Sequence, residues 1–203
     1  MLNPAALQDH DPQWATNAAH RLREIRAALA GVAGADHADF DHIGSTSVPG
    51  LPAKPIIDLQ VRILPLPAED VLGERLRAAG YVRAMGSRPD SPGVDRDIPR
   101  GGQAVADEVW QKRLYVAVDE SAILHVRRTD SPWGRYTVWF RDWLRAHDDM
   151  RDFYAQTKRV LSERNVGKAD YDDYTRAKTV FFDEVQDEFV AWARHRAGHQ
   201  SGR

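Results

Sequence analysis

Apolar residues recur at helical spacing from the first tryptophan onward. Trp14, Ala18, Leu22, Ile25 and Leu29 fall three and four apart, one stripe of a helix over residues 14–30. Asp9 or Asp11 is placed to cap it, with Pro12 in its first turn, and Gly31 and Gly34 end it. The period then changes. Strands are predicted near residues 38–43 and 56–63, the second rich in β-branched residues and interrupted by Asp58. A second helix over 68–79 turns Val71, Leu72, Leu76 and Ala79 toward the sheet, with Gly80 as its left-handed cap. A short strand at 81–85 leads into residues 86–104, which are rich in Gly, Pro, Asp and Arg and offer almost nothing to bury. A loop of that length inside a domain is either functional or disordered. Residues 114–118 and 122–127 read as an antiparallel pair around a turn at 119–121. Helical spacing then returns at 135–146, 150–165 and 170–196, the last long enough to bend, and residues 199–203 read as a frayed end. Strands interleaved with two helices, then a run of helices, predict an α+β fold. Its mixed or antiparallel sheet has flanking helices and a helical C-terminal portion. The 203 residues suit a single domain, with an α/β core over about 12–130 and the helical portion over about 131–196.

Composition narrows the function classes. Lys plus Arg number 28 against 30 Asp plus Glu, a net charge of −2, so no global basic field points to nucleic acid or a membrane surface. The absence of cysteine excludes disulfides, thiolate metal sites and cysteine nucleophiles. No apolar run is long enough to span a membrane, and the N-terminus lacks the form of a signal peptide, so a cytoplasmic protein is expected. Phosphate-loop, dinucleotide and nucleophile-elbow patterns are missing, as is zinc spacing of histidines.

The chemistry gathers in FDHIGSTSVPGLPAKPIIDLQVRI, residues 40–63. Glycine at 44 lets the backbone approach a ligand closely, and the amides that follow, with the Ser45 hydroxyl, can grip a phosphate. Thr46 and Ser47 share that reading more weakly, against a turn in which each bonds its own backbone. Asp58 interrupts an apolar strand and must be compensated by a metal, a cation or a solvent-facing position. The alternative for Asp58 is a structural ion pair with Lys54 or Arg127.

This stretch resembles the nucleotidyltransferase superfamily, and HIGSTSVPGLPAKPIIDLQV more specifically resembles the signature of the GrpB family. That family is also found as the C-terminal domain of actinobacterial dephospho-coenzyme A kinases. The resemblance covers roughly residues 12–185. It includes Trp139 to Ala146, similar to the family's FRDWLRA segment, and the pairs Tyr154 with Lys158 and Tyr174 with Lys178. It implies a nucleotidyltransferase-like sheet, a bound nucleotide with magnesium or manganese, and transfer of a nucleotidyl group to a small-molecule acceptor. Gly44, Ser45, Thr46, Lys54, Arg127, Lys158 and Lys178 would then hold the nucleotide and its phosphates. Asp58 and His125 would carry the catalytic and metal-binding roles. Arg141 belongs to the same cationic set. Arg96, Arg100 and Arg128 are weaker candidates, the loop cations among them as a lid.

One departure counts against catalysis. A second acid two residues after Asp58 would share its face of the strand, and Gln60 stands there. A carboxylate from elsewhere (Asp41, Asp95, Asp97 or Asp107) brought to Asp58 would favour the enzyme. Asp58 alone would favour a non-catalytic module that binds a nucleotide or a coenzyme A-like ligand. His42 could orient Asp58, touch ligand or bond within the core. Tyr154, Tyr171, Tyr174, Trp139 and Trp143 are expected mainly in the core by helical spacing.

Overall fold

The computed structural model describes residues 4–86, 91, 93–99 and 105–200, with no side-chain description for 196–200. Arg100 and most of 199–203, expected as a lid cation and a frayed end, lie outside the described residues, or outside their side chains. Helix α1 (Gln13–Ala28) begins where the Asp11 carboxylate accepts the Gln13 amide at 2.9 Å and buries Trp14, Ala18 and Ile25. It is followed by β1 (Asp39–Ile43), β2 (Ile57–Arg62), α2 (Glu69–Ala78), β3 (Tyr81–Arg83), β4 (Lys112–Ala117) and β5 (Ala122–Arg127). Four helices complete the described chain: α3 (Pro132–Ala146), α4 (Asp148–Arg164), α5 (Asp172–Glu184) and α6 (Gln186–Gln200). The five strands form one mixed sheet in the order β1-β2-β5-β4-β3. β2 and β5 run parallel and the other neighbours antiparallel.

Alternation along the strands gives this sheet two unlike faces. Ile57, Leu59 and Val61 of β2, with Ala122, Leu124 and Val126 of β5, are buried against α1 and α2 in one core. The opposite face carries Asp58, Gln60 and Arg62, in register with Ile123, His125 and Arg127. Lys112 and Leu114 of β4 continue it. A second core, of Trp143, Leu144, Tyr154, Phe181 and Phe189, lies among the C-terminal helices and takes in Val48 and Leu51. The polar sheet face lies between the two cores.

Five expectations change. Val71 is 40% exposed, one step round the helix from the buried Leu72 and Leu76. The helix expected over 170–196 divides at Val185 into α5 and α6, with Phe181, Val185 and Phe189 all in the helical core. β4 begins at Lys112, two residues earlier than predicted. The segment between β3 and β4 does bury something: Asp97 is 2% exposed, and Val109 and Trp110 are buried in a short turn of helix, Asp107–Trp110. Trp143 is core as expected, whereas Trp139 is 37% exposed. Among the described residues, no helix is long and apolar enough to cross a membrane.

Candidate functional site

The site begins where β1 ends. Gly44 has φ +68°, and a Cβ there would lie 2.2 Å from Asp58 Oδ2. Only glycine tolerates both the backbone angle and that approach. The chain then turns through Ser45–Ser47, with the Ser47 hydroxyl donating to Gly44 O at 2.6 Å. Ser45, Thr46 and Asp58 open on a cavity of about 470 Å³ between the polar sheet face and helices α4 and α5. Lys54, Lys158 and Lys178 reach the same cavity from three different segments, as do His125 and Arg127. Ser45, Thr46, Lys54, Arg127, Lys158 and Lys178 thus meet one space, whereas Gly44 and Arg141 line a smaller adjoining cavity and Ser47 lines neither.

The described lining residues carry six cationic side chains (Lys54, Lys112, Arg127, Lys158, Arg176, Lys178) against three carboxylates (Asp58, Asp97, Asp172). These charges divide into two groups. In the first, Arg127 Nε and Nη2 donate to the two Asp97 oxygens at 2.7 and 2.9 Å, and Nη1 donates to Gln60 Oε1 at 2.9 Å. Gln60 also accepts from the Thr137 hydroxyl at 3.0 Å and donates to Gly134 O at 3.0 Å. Lys112 joins through Asp97 at 3.4 Å. The Asp97 carboxyl is held below its usual range: burial opposes ionisation, but Arg127 and Lys112 outweigh it. This is a buried, internally paired network.

The second group is not internally balanced. Burial, and then the charge of Lys178, brings Lys54 down to about 7. Burial and Lys178 push Lys158 well below its ordinary value, and burial lowers Lys178 as well. Tyrosine rings give partial compensation. Lys54 Nζ lies 3.1 Å from the Tyr171 ring centre, and Lys178 Nζ lies 5.0 Å from that of Tyr174. Lys158 donates to Pro52 O. Asp58, one-third exposed to the cavity, faces this group, and Asp172 also acts on Lys54. Burial opposes its ionisation, but His125, Lys178 and Lys54 hold its pKa below the usual value.

His125 stands between the two groups. Its Nδ1 is 3.2 Å from Lys112 Nζ and its Nε2 is 3.8 Å from Asp58 Oδ1. Burial, with Lys112 and Arg127 beside it, lowers His125 to about 4, so the ring is neutral near pH 7. Burial likewise lowers Lys112, to about 8, which leaves it mostly charged at pH 7. A charged lysine can only donate, so Nδ1 accepts and the proton sits on Nε2, facing Asp58. In that tautomer neither nitrogen offers a lone pair to a metal. The four carboxylates considered as partners for Asp58 are all engaged elsewhere. Asp41 lies by Arg62 and Arg141 at 3.5 and 3.6 Å, Asp95 pairs with Arg83, Asp97 with Arg127 and Asp107 with Arg96. Among the described residues, no three His, Asp or Glu side chains converge as a metal site. Asp58 therefore suits a divalent cation only where phosphate oxygens supply the rest of its coordination.

Other candidates fall outside the cavity or are committed. His42 points to the opposite sheet face from Asp58, in register with Leu59, and its Nε2 lies 2.9 Å from the Thr46 hydroxyl. Arg141 donates to His42 O at 2.9 Å and to Asp142 at 2.8 Å. Arg128 pairs with Asp130, and Arg96 with Asp107. Sequence reasoning missed Lys112, and named Asp97 only as a possible partner for Asp58 and not for Arg127. Extending the alternation of Leu114 and Val116 back by two would have placed Lys112 on the polar face. Nothing local marks Asp97, whose partner is 30 residues away.

The chain matches the family described as GrpB protein over residues 4–188. It is 36% identical to a UPF0157 protein of Streptomyces coelicolor over 173 residues, covering 85% of this chain and 77% of that protein. It is 31% identical to the dephospho-CoA kinase of Mycobacterium tuberculosis over 197 residues, covering 94% of this chain and 47% of the kinase. It therefore spans about half the length of the kinases it matches. The crystal structure of the conserved protein GrpB from Enterococcus faecalis shares its fold. That match has a TM-score of 0.68 at 21% identity and covers 93% of this chain and 99% of the other.

Proposed function

The chain belongs to the GrpB family, and from that premise we propose that it binds a phosphorylated small molecule of the nucleotide or coenzyme A class. Lys54, Lys158 and Lys178, with the Ser45 turn, hold its phosphates. One observation carries this reading: three lysines from separate segments share one cavity, all with lowered pKa values, facing the ionised Asp58, with Asp172 the other carboxylate acting on Lys54. Burying like charges together is costly unless a counter-charge is supplied. A phosphate supplies it, and an ammonium is a compact point charge suited to one. The coenzyme A part of the proposal rests on analogy with the dephospho-CoA kinases of which related sequence forms part.

Nucleotidyl transfer to a small-molecule acceptor is the second reading. It is favoured by the ionised, cavity-facing Asp58 beside the Ser45 turn. Asp58 would be the protein ligand of magnesium or manganese arriving on the phosphates, and the metal would neutralise charge there. His125 would then orient Asp58 through its Nε2 proton.

Thermal unfolding with ATP, GTP, CTP, UTP and coenzyme A, each with and without manganese, separates the readings. A ligand at 100 times its dissociation constant adds about 2.7 kcal/mol, a shift of roughly 5–10 °C for a chain of this size. A metal-independent shift lost in Lys54→Met and Lys178→Met supports binding through the lysines. A shift that needs manganese and vanishes in Asp58→Asn supports the second reading. No shift from any of the five sinks both.

A further inference from the structure

The cationic cavity does not end at Asp58. A second cavity of about 170 Å³ adjoins it, and the two share Ser45, Asp58, His125, Arg127, Trp133, Lys178 and Phe182 as wall. The linings differ in kind. Beyond the shared wall, the larger cavity has Lys54, Lys112 and Lys158, whereas the smaller has Val48, Tyr136, Phe140, Leu144 and Tyr154, with Arg141 as its one added cation among the described residues. Tyr136 stacks on Trp133 with centroids 4.9 Å apart and nearly parallel planes. Phe140 meets Tyr154 edge to face at 5.6 Å. These contacts fix the ring walls.

We infer that the smaller cavity is a second subsite of the same ligand, taking a flat, ring-shaped group that bears a hydrogen-bond donor, while the phosphates lie among the lysines. The inference rests on the anion-binding reading above and deepens it by naming the other end of the ligand. A volume of 170 Å³ holds roughly a dozen water-sized spheres, the scale of a nucleobase. Apolar, aromatic walls favour a π-face over a charge. A phosphate finds fewer donors there than in the larger cavity: Arg141 is already engaged by His42 O and Asp142, Arg127 by Asp97 and Gln60, and Lys178 stands in the shared wall. Asp58 stands in the shared wall as an ionised acceptor, so a ring amine or an adjacent hydroxyl can donate to it. The side of Asp58 on which each end lies sets the orientation.

The test compares ribose 5-phosphate with the four ribonucleoside 5′-monophosphates by calorimetry. The subsite predicts that at least one nucleotide binds wild type tenfold or more tightly than ribose 5-phosphate. Phe140 and Leu144 line the smaller cavity and not the larger. Phe140→Trp and Leu144→Phe fill it, and each cuts the base advantage at least threefold without changing the affinity for ribose 5-phosphate. An advantage below tenfold in wild type overturns the subsite alone, as does one that survives in both folded variants. A soaked nucleotide provides a readout independent of variant folding: a base lying outside the ring-lined cavity also overturns it. If neither ribose 5-phosphate nor any nucleotide binds wild type, the anion-binding reading fails first and the subsite with it.

Discussion

Lys54 makes ligand binding depend on pH in a direction that can be worked out beforehand. Its pKa in the unliganded protein is about 7 against an ordinary 10.5, through burial and the neighbouring Lys178. At pH 8 about nine-tenths of the side chain is neutral. A phosphate beside it favours the charged form and returns its pKa toward the ordinary range. Binding at pH 8 therefore draws about 0.9 proton from solvent for Lys54 alone. The competent form is the protonated one. Affinity is thus fully present below pH 7 and falls as pH rises, by up to about tenfold, or ~1.4 kcal/mol, per unit for each such lysine. A phosphate monoester does not confuse the measurement, since its second pKa is about 6. The assay is calorimetry of adenosine 5′-monophosphate at pH 7, 8 and 9 in two buffers of different ionisation enthalpy. Wild type should take up close to one proton or more at pH 8, and Lys54→Met about one fewer, with a shallower loss of affinity. Flat affinity from pH 7 to 9 with no net proton uptake would refute the reasoning.

The same lysine acts on stability with the opposite sense. Its folded pKa lies below its unfolded one, so the unfolded chain binds more protons between about 7 and 10.5. The penalty is full at pH 7 and below and fades toward pH 10; Lys54→Met should raise the unliganded melting temperature by a few degrees at pH 7 and by less at pH 9. Gly44→Ala meets both a φ of +68° and the Asp58 carboxylate; a loss of about 1–3 kcal/mol in denaturant unfolding is expected, together with loss of ligand-induced stabilisation. Asp97→Ala leaves Arg127 and Lys112 buried without their acid, and chemical denaturation should show a cost of about 3–5 kcal/mol. Gln60→Glu sets a carboxylate against Gly134 O, which now receives an amide proton; about 1–3 kcal/mol should be lost by the same measurement, and no manganese-dependent nucleotidyl transfer should appear.

Local pattern carried the parts of the fold that depend on period alone. Alternation placed β5 at residues 122–127, and the stripe from Trp14 to Leu29 placed α1. The Ser45 turn and the Asp58 strand were legible because each needs a special residue at a fixed place: a glycine where a side chain collides, and an acid where a strand is otherwise apolar. The convergence of Lys54, Lys158 and Lys178 was not legible as geometry. One lies before β2 and the others on α4 and α5, and no local rule says which way two helices present their lysines. The Asp97 partnership was harder still, because an acid in a loop reads as solvated until its arginine is found on a strand.

The two charge networks argue for a ligand more strongly together than either does alone. Around Arg127, every neighbour is arranged to satisfy it: Asp97 takes two donors, Gln60 takes a third, and Thr137 and Gly134 complete the amide. The fold can therefore balance buried charge on this sheet face, and it does so on the very strand position where a second acid would stand. Across His125, it places lysines from three segments around Asp58, with Asp172 acting on Lys54, and the lysines keep lowered pKa values with tyrosine rings beside two of them. Imbalance of that kind persists at functional sites because something outside the chain relieves it. Gln60 thus ties the sheet to α3, and the groups left for a ligand to satisfy in the cavity are lysines.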